Sequence, residues 1–200
     1  MSSLQCPTTL IVARHAHAEY ESETWAEEGG SLTRAGREQA VALAHRLEGR
    51  RVAHIWTSTM SRAVQTAEIA AAVLGVAVTT RVGLREFEIG DFVGSTAKDP
   101  FAETYDRWLA GDLDARMPGA ETGREIVERF RGVLEEIVDQ HPGETVLVIS
   151  HGGVIRMVLP LLVTREPAQP PAALDHCACV EAEVGADEWV CTTWPPPAER

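Results

Sequence analysis

The sequence predicts an α/β fold with a mostly parallel sheet. Short apolar runs alternate with segments of helical periodicity along the chain. Two of the runs, TTLIVA at residues 8–13 and VLVIS at 146–150, are continuous rather than alternating, as in strands covered on both faces. The composition, 44% hydrophobic and 24% charged over 200 residues, is that of one globular domain.

The elements follow in order. Residues 8–13 form a first strand. Thr33 reads as a helix N-cap, because a hydroxyl there satisfies a free backbone N–H. Behind it Ala40, Leu43, Ala44 and Leu47 repeat at i, i+3, i+4, i+7 and make one apolar face. Gly49 is expected to close that helix. Residues 52–57 form a second strand, and Ser61 opens a helix with Ala63, Thr66, Ala67, Ala70 and Leu74 on one side and Gly75 at its end. A short third strand covers 77–79, and 84–94 reads as a loop around Gly90 and Gly94. A helix is expected over 99–109, then a turn at Pro118-Gly119. A long amphipathic helix runs from about 121 to 140, with Ile126, Phe130, Val133, Leu134 and Ile137 inward. The strand at 146–150 delivers His151-Gly152-Gly153 into a helix through Leu162. Residues 177–184 and 188–193 read as a closing hairpin around 185–187, and the prolines of 167–171 and 195–197 mark a loop and a frayed tail. No repeat or linker divides the chain, so residues 1–200 are read as one domain, with 95–120 as a lid or cap.

A formal net charge of -12 and a pI near 5.0 argue against nucleic acid and anionic membrane as partners. No apolar stretch reaches the roughly 18 residues that a span requires. No basic region followed by an apolar run opens the chain, so it is read as cytoplasmic. Cys6, Cys177, Cys179 and Cys191 are too sparse for a disulfide scaffold. Cys177 and Cys179 are expected on one face of a strand, and a Cys-x-Cys pair alone is a weak zinc signal.

In parallel sheets, ligands bind beyond the carboxyl ends of the strands. Four features fall there: Arg14-His15, Ser58 to Arg62, Glu86 and Ser150 to Gly153. Two histidines and two arginines at strand ends suit a dianionic phosphate, and a helix N-terminus adds partial positive charge.

With these motifs the chain resembles the histidine phosphatase superfamily, also called phosphoglycerate mutase-like. Arg14-His15-Ala16 stands where that family carries Arg-His-Gly. Leu32-Thr33-Arg34-Ala35-Gly36-Arg37-Glu38-Gln39-Ala40, the Ser58 to Ala67 stretch, Leu84-Arg85-Glu86 with Gly90, and Ser150-His151-Gly152-Gly153 follow in the family's order over roughly residues 8–160. The resemblance implies a three-layer sandwich in which helices flank the central sheet. It implies that His15 attacks phosphorus and becomes a phosphohistidine. Arg14, Arg62 and His151 then hold the phosphoryl oxygens, and Glu86 serves as general acid and base. It implies no metal or other cofactor, protein cations taking that place. The implied partner is a small phosphorylated molecule, and the implied reaction is metal-independent phosphomonoester hydrolysis.

Some assignments stay open. Glu88 and Glu121 are alternative acids. His17 is expected to line the pocket or lie exposed, and His45, His54, His141 and His176 to be structural or solvated. Phe101, Tyr105 and Trp108 are placed on the wall above the pocket, at least two of them packing the lid against the body. Ala16 is expected at negative φ. The family's mutases continue differently after the first motif; here His17-Ala18-Glu19-Tyr20 is followed by Glu21, Glu23, Glu27 and Glu28, whose charge favours a phosphatase over a phosphoglycerate mutase-type phosphotransferase. A catalytically weak binding protein of the same fold is a further alternative. A metal-dependent hydrolase built on His15-x-His17 is disfavoured, because that eight-fold barrel needs about 250 residues. The substrate is open, as is the oligomeric state, with a homodimer among the options.

Overall fold

The computed structural model describes residues 6–20, 24, 26, 29–96, 101–164, 173–186 and 188–195. The chain order begins with β1 (Thr8–Arg14), β2 (Ala18–Glu19) and β3 (Ser31–Leu32), followed by α1 (Arg34–Leu47), β4 (Val52–Ser58), α2 (Ser61–Leu74) and β5 (Val78–Arg81). Then come α3 (Ala102–Leu109), α4 (Gly123–Gln140), β6 (Thr145–Ser150), α5 (Gly152–Leu162), β7 (Cys179–Val184) and β8 (Trp189–Thr193). Six strands form one sheet in the order β5-β4-β6-β1-β7-β8. The first four run parallel, and β7 and β8 add an antiparallel edge.

The continuous apolar run of β1 serves both faces, as its lack of alternation requires. Leu10 and Val12 pack into a core with Phe130, Leu134 and Ile155 of α4 and α5. Ile11 and Ala13 pack into another with Leu43 of α1 and Ala67 of α2. These two cores make the three layers: α1 and α2 on one face, α3, α4 and α5 on the other.

The helix ends show why the sequence stops where it does. The hydroxyl of Thr33 accepts from Gly36 N at α1. At α4, Thr122 and Glu125 form a reciprocal capping box, so the helix starts at Gly123, two residues later than the periodicity placed it. Gly75 ends α2 at φ 70°. Gly49, by contrast, does not close α1. A 3-10 turn over Glu48–Arg50 continues the coil, and Arg51, at φ 51°, takes the left-handed position before β4. Similarly, Cys177 and Cys179 do not share a strand face. Cys177 lies in a turn at φ 61°, and β7 begins only at Cys179. The helix expected over 99–109 is seen from Ala102; residues 97–100, the loop 167–171 with its neighbours 165, 166 and 172, the tail from 196, and Glu21, Glu23, Glu27 and Glu28 lie outside the described residues. No helix among the described residues is long and apolar enough to cross a membrane.

Candidate active site

Strand register brings the motifs together. β1 and β6 lie side by side with Arg14 opposite Ser150, and β4 flanks β6 on its other side. Arg14-His15, Ser58 to Arg62 and His151 therefore arrive at one edge of the sheet. The His15 and His151 rings meet edge-on at 5.2 Å between centroids. Arg62, in the first turn of α2, donates Nε–H to His15 Nε2 at 3.2 Å.

The other nitrogen of His15 decides its tautomer. Nδ1 lies 2.7 Å from the Ala16 carbonyl oxygen. A carbonyl only accepts, so Nδ1 carries the proton and Nε2 keeps its lone pair. Burial, reinforced by Arg62 and Arg14, lowers the His15 pKa to about 3. The ring is thus neutral at pH 7, with its nucleophilic nitrogen facing a guanidinium.

The cations around it are held by the backbone. Arg14 donates to Leu174 O at 2.6 Å and Arg62 to Gly29 O at 3.1 Å. His151 Nε2 lies 2.8 Å from Ser58 Oγ, and burial drives its pKa well down. Four buried side-chain polar atoms lack a partner among the described residues. Three of them, Arg14 Nε, Thr59 Oγ1 and His151 Nδ1, sit at or just past the ends of β1, β4 and β6. A buried polar atom without a partner costs about 1–3 kcal/mol. Several at one edge are hydrogen-bonding capacity that an oxygen-rich anion can take up.

A cavity of about 540 Å³ opens here, with Arg14, His15, Arg62 and Glu86 in its wall. His151 is fully buried beside His15 and is not part of that wall. The Glu86 carboxyl sits at the N-terminus of α5, accepting from Gly153 N at 3.0 Å and Val154 N at 2.7 Å. Burial raises its pKa; those backbone donors and Arg62 oppose the rise without cancelling it. Glu88 is exposed, and Glu121 is ion-paired with Arg129 at 2.8 Å; neither lines the cavity.

The sequence profile of the histidine phosphatase superfamily (branch 1) matches residues 10–195. The chain belongs to the histidine phosphatase superfamily. Phosphoglycerate mutase-like protein 4 of Arabidopsis thaliana is 30% identical over 92% of this chain and 84% of that protein. The probable phosphoglycerate mutase GpmB of Cronobacter sakazakii is 28% identical over 92% and 89%. Among solved structures, a mycobacterial glucosyl-3-phosphoglycerate phosphatase in complex with VO3 superimposes with a TM-score of 0.75 at 26% identity, covering 94% of this chain and 98% of that one. YhfR of Bacillus stearothermophilus gives 0.77 at 26%, covering 96% and 98%.

The motifs of this superfamily member have physical reasons. A Cβ on Gly36 would run into the His17 carbonyl oxygen. Gln39 accepts from His17 N at 2.9 Å, and Thr33 Oγ1 lies 2.9 Å from His17 Nδ1. The Leu-Thr-x-x-Gly-x-x-Gln stretch is therefore the bed on which the loop after His15 lies. Ala16 is fully buried, outside the positive-φ residues as expected, and donates to Thr66 Oγ1 at 3.1 Å. The two glycines after His151 make room for the site. A Cβ on Gly152 would lie 3.1 Å from Arg14 Cδ, and one on Gly153 would lie 2.6 Å from Phe87 Cε1 and 2.9 Å from Glu86 Oε1.

Other residues depart from the reading of the sequence. His17 is half-buried under α1 and does not line the cavity. His176, read as structural or solvated, stands 5.8 Å from the His15 ring and 5.1 Å from that of His17. Nothing in the sequence pattern marks Arg129. It donates to the carbonyls of Gly83, Arg85 and Glu86, at 2.8, 2.9 and 3.1 Å, and so ties down the loop carrying Glu86. Arg156, on α5, lines the cavity with its guanidinium 5.8 Å from the Tyr105 ring centroid. Of the three aromatics assigned to the wall, Trp108 is buried and donates to Ala115 O at 2.8 Å, whereas Phe101 and Tyr105 line the cavity.

Proposed function

We propose that this chain is a phosphomonoesterase that needs no metal and works through a phosphohistidine on His15. The observation that carries the proposal is the pairing of a neutral His15, its Nε2 lone pair held by Arg62, with Arg14 Nε and His151 Nδ1 beside it, both unpartnered among the described residues. A phosphoryl group placed at Nε2 supplies the acceptors those atoms lack.

In the first half-reaction Nε2 attacks phosphorus and the bond to the leaving oxygen breaks. The Glu86 carboxyl gives its proton to that oxygen. The Ala16 carbonyl supports the imidazole as it becomes cationic, since Nδ1–H already points at it. Arg14, Arg62 and His151 stabilise charge on the three transferring oxygens. In the second half-reaction water attacks phosphorus, its proton returns to Glu86, and the P–N bond breaks. Inorganic phosphate leaves, and both residues return to their starting protonation. Segment 95–120 acts as the lid, with Phe101 and Tyr105 over the cavity. The phosphorylated small molecule is the partner.

The curated relatives' names favour a second reading, a mutase-type transfer. The cavity wall beyond Glu86 is rich in aromatic side chains, Phe87, Phe101 and Tyr105, and the Arg156 guanidinium there is set over the Tyr105 ring, 5.8 Å from its centroid. That supports hydrolysis over isomerisation of a phosphoglycerate. The test is turnover of a generic aryl phosphate with a chelator present, beside His15→Ala. Activity in the wild type, an acid-labile phosphoenzyme, and the loss of both in the variant are expected. Equal activity in the two proteins overturns the mechanism, and isomerisation of phosphoglycerate outpacing hydrolysis overturns the choice between the readings.

A further inference from the structure

The leaving group has to lie against Glu86, because that carboxyl must reach the oxygen whose bond to phosphorus breaks. What surrounds Glu86 therefore describes the leaving group. Phe87 follows it directly, and the two side chains converge on Gly153, as the contacts of a Cβ there show. The Phe87 ring meets Phe101 and Tyr105, each at 5.6 Å between centroids, and Trp108 at 5.5 Å. Trp108 is the buried anchor of this cluster. Phe101, Tyr105 and Phe87 line the cavity. Ile89, Leu174 and Tyr20 also line the cavity, the last two beside Arg14 and Arg62 respectively. Of the three arginines lining the cavity, Arg14 stands beside the His15 site, Arg62 bonds His15 directly, and Arg156 is set over the Tyr105 ring, its guanidinium 5.8 Å from the centroid. The volume of about 540 Å³ lies within the ~300–1,000 Å³ of small-molecule sites and far exceeds the need of one phosphoryl group.

We infer that the physiological substrate is the phosphate monoester of an alcohol carrying a planar, largely apolar ring, and that this ring packs on Phe87, Phe101 and Tyr105. The inference rests on the phosphatase reading above. Rings stack on such a wall edge-to-face or offset, and water leaves both surfaces. A short polyhydroxy acid would leave the wall wet and bring no gain.

The test compares 2-naphthylmethyl phosphate with glycerol 1-phosphate. Both release a primary alkoxide, so each makes a similar demand on the acid, and the ratio of kcat/KM reads recognition of the leaving group. A ratio of at least ~10 is expected in the wild type, in line with the added worth of aromatic contacts. In Phe101→Ala the ratio is expected to fall at least threefold. Tyr105→Leu is measured in parallel, in case the first variant loosens the lid. A wild-type ratio at or below one overturns the inference. So does a ratio that neither variant changes. If His15→Ala abolishes turnover of both substrates in that case, the phosphatase reading survives alone. No turnover of either substrate and no phosphoenzyme overturns both.

Discussion

Gly153→Ala is the sharpest probe of Glu86 as the acid, because it shifts the carboxyl without replacing it. Gly153 is helical, so alanine brings no backbone strain there and is favoured over glycine by about 1 kcal/mol of helix propensity. Its methyl, however, meets Phe87 Cε1 at 2.6 Å and the Glu86 oxygens at 2.9 and 3.0 Å. The ring cannot retreat freely, packed as it is against Phe101, Tyr105 and Trp108. The carboxyl gives way, leaving its bonds to Gly153 N and Val154 N. Overpacking costs about 1–3 kcal/mol. Offset by propensity, the net is about 0–2 kcal/mol, or at most roughly 8 °C in Tm at 2–4 °C per kcal/mol. Catalysis should lose far more, since a shift near 1 Å costs about 100-fold. The assay is steady-state kinetics on an alkyl phosphate and on p-nitrophenyl phosphate, whose acidic phenol needs little protonation. A loss of about 30- to 100-fold is expected for the first and under about fivefold for the second. Equal losses on both would refute Glu86 as the proton donor.

Three further outcomes follow from the structure. Gly36→Ala drives a methyl into the His17 carbonyl, a backbone atom that cannot swing aside. A loss of about 2–3 kcal/mol and a Tm lower by about 5–10 °C are expected by calorimetry, and an unchanged Tm would count against the bed described for the His15 loop. Arg129→Met frees the Gly83, Arg85 and Glu86 carbonyls and the Glu121 carboxylate, so kcat should fall about tenfold while KM moves little; a Tm drop with kcat intact would leave Arg129 purely structural. His15, at about 3, and His151, well below its usual value, stay neutral in the fold but take up protons near pH 6.5 when unfolded. The unfolded state binds more protons below that point, so their contribution is present above pH 6.5 and shrinks as pH falls. From pH 7 to 5 the loss is at most about 4 kcal/mol for the pair, partly offset by Glu86, whose raised pKa acts in the opposite direction. Urea melts at both pH values measure it, and equal stability would mean that one ring is charged in the fold.

How much of this was legible in the sequence depended on whether a residue's reason was local. His15 and His151 were legible because each ends a continuous apolar strand, and strand ends in a parallel sheet converge. Gly36, Gly152 and Gly153 were legible as letters of a motif. Their cause was not, because the atoms they make room for lie 19, 138 and 66–67 residues away, counted from His17, Arg14 and Glu86–Phe87. His176 could not be found from its surroundings. It reaches His15 only because β7 returns antiparallel beside β1, with Cys177 N donating to Arg14 O at 3.0 Å. Arg129 sits on the polar stripe of an amphipathic helix, where an arginine looks like any solvated one. Gly49 misled because glycine usually takes the left-handed turn after a helix; here β4 starts at Val52, and Arg51 is the residue in the turning position.

The same long-range placement explains why the site is built at a cost to the fold. Arg14 Nε, Thr59 Oγ1 and His151 Nδ1 are buried without partners among the described residues, each a loss of about 1–3 kcal/mol. Proteins rarely leave three such atoms at one sheet edge. Ordinary packing would have filled the edge with apolar side chains, as it has along β1 and β6 only a few residues earlier. Here two glycines hold the space open, Arg62 holds the lone pair of His15, and backbone carbonyls fix the arginines in advance. Donors positioned before the anion arrives need not reorganise as the bond to the leaving oxygen breaks and the phosphoryl group passes to Nε2. That is the condition under which such donors lower a barrier rather than only tighten binding. The unpaired atoms and the proposed chemistry are thus one feature: stability withheld from the folded protein is available to the transferring phosphoryl group.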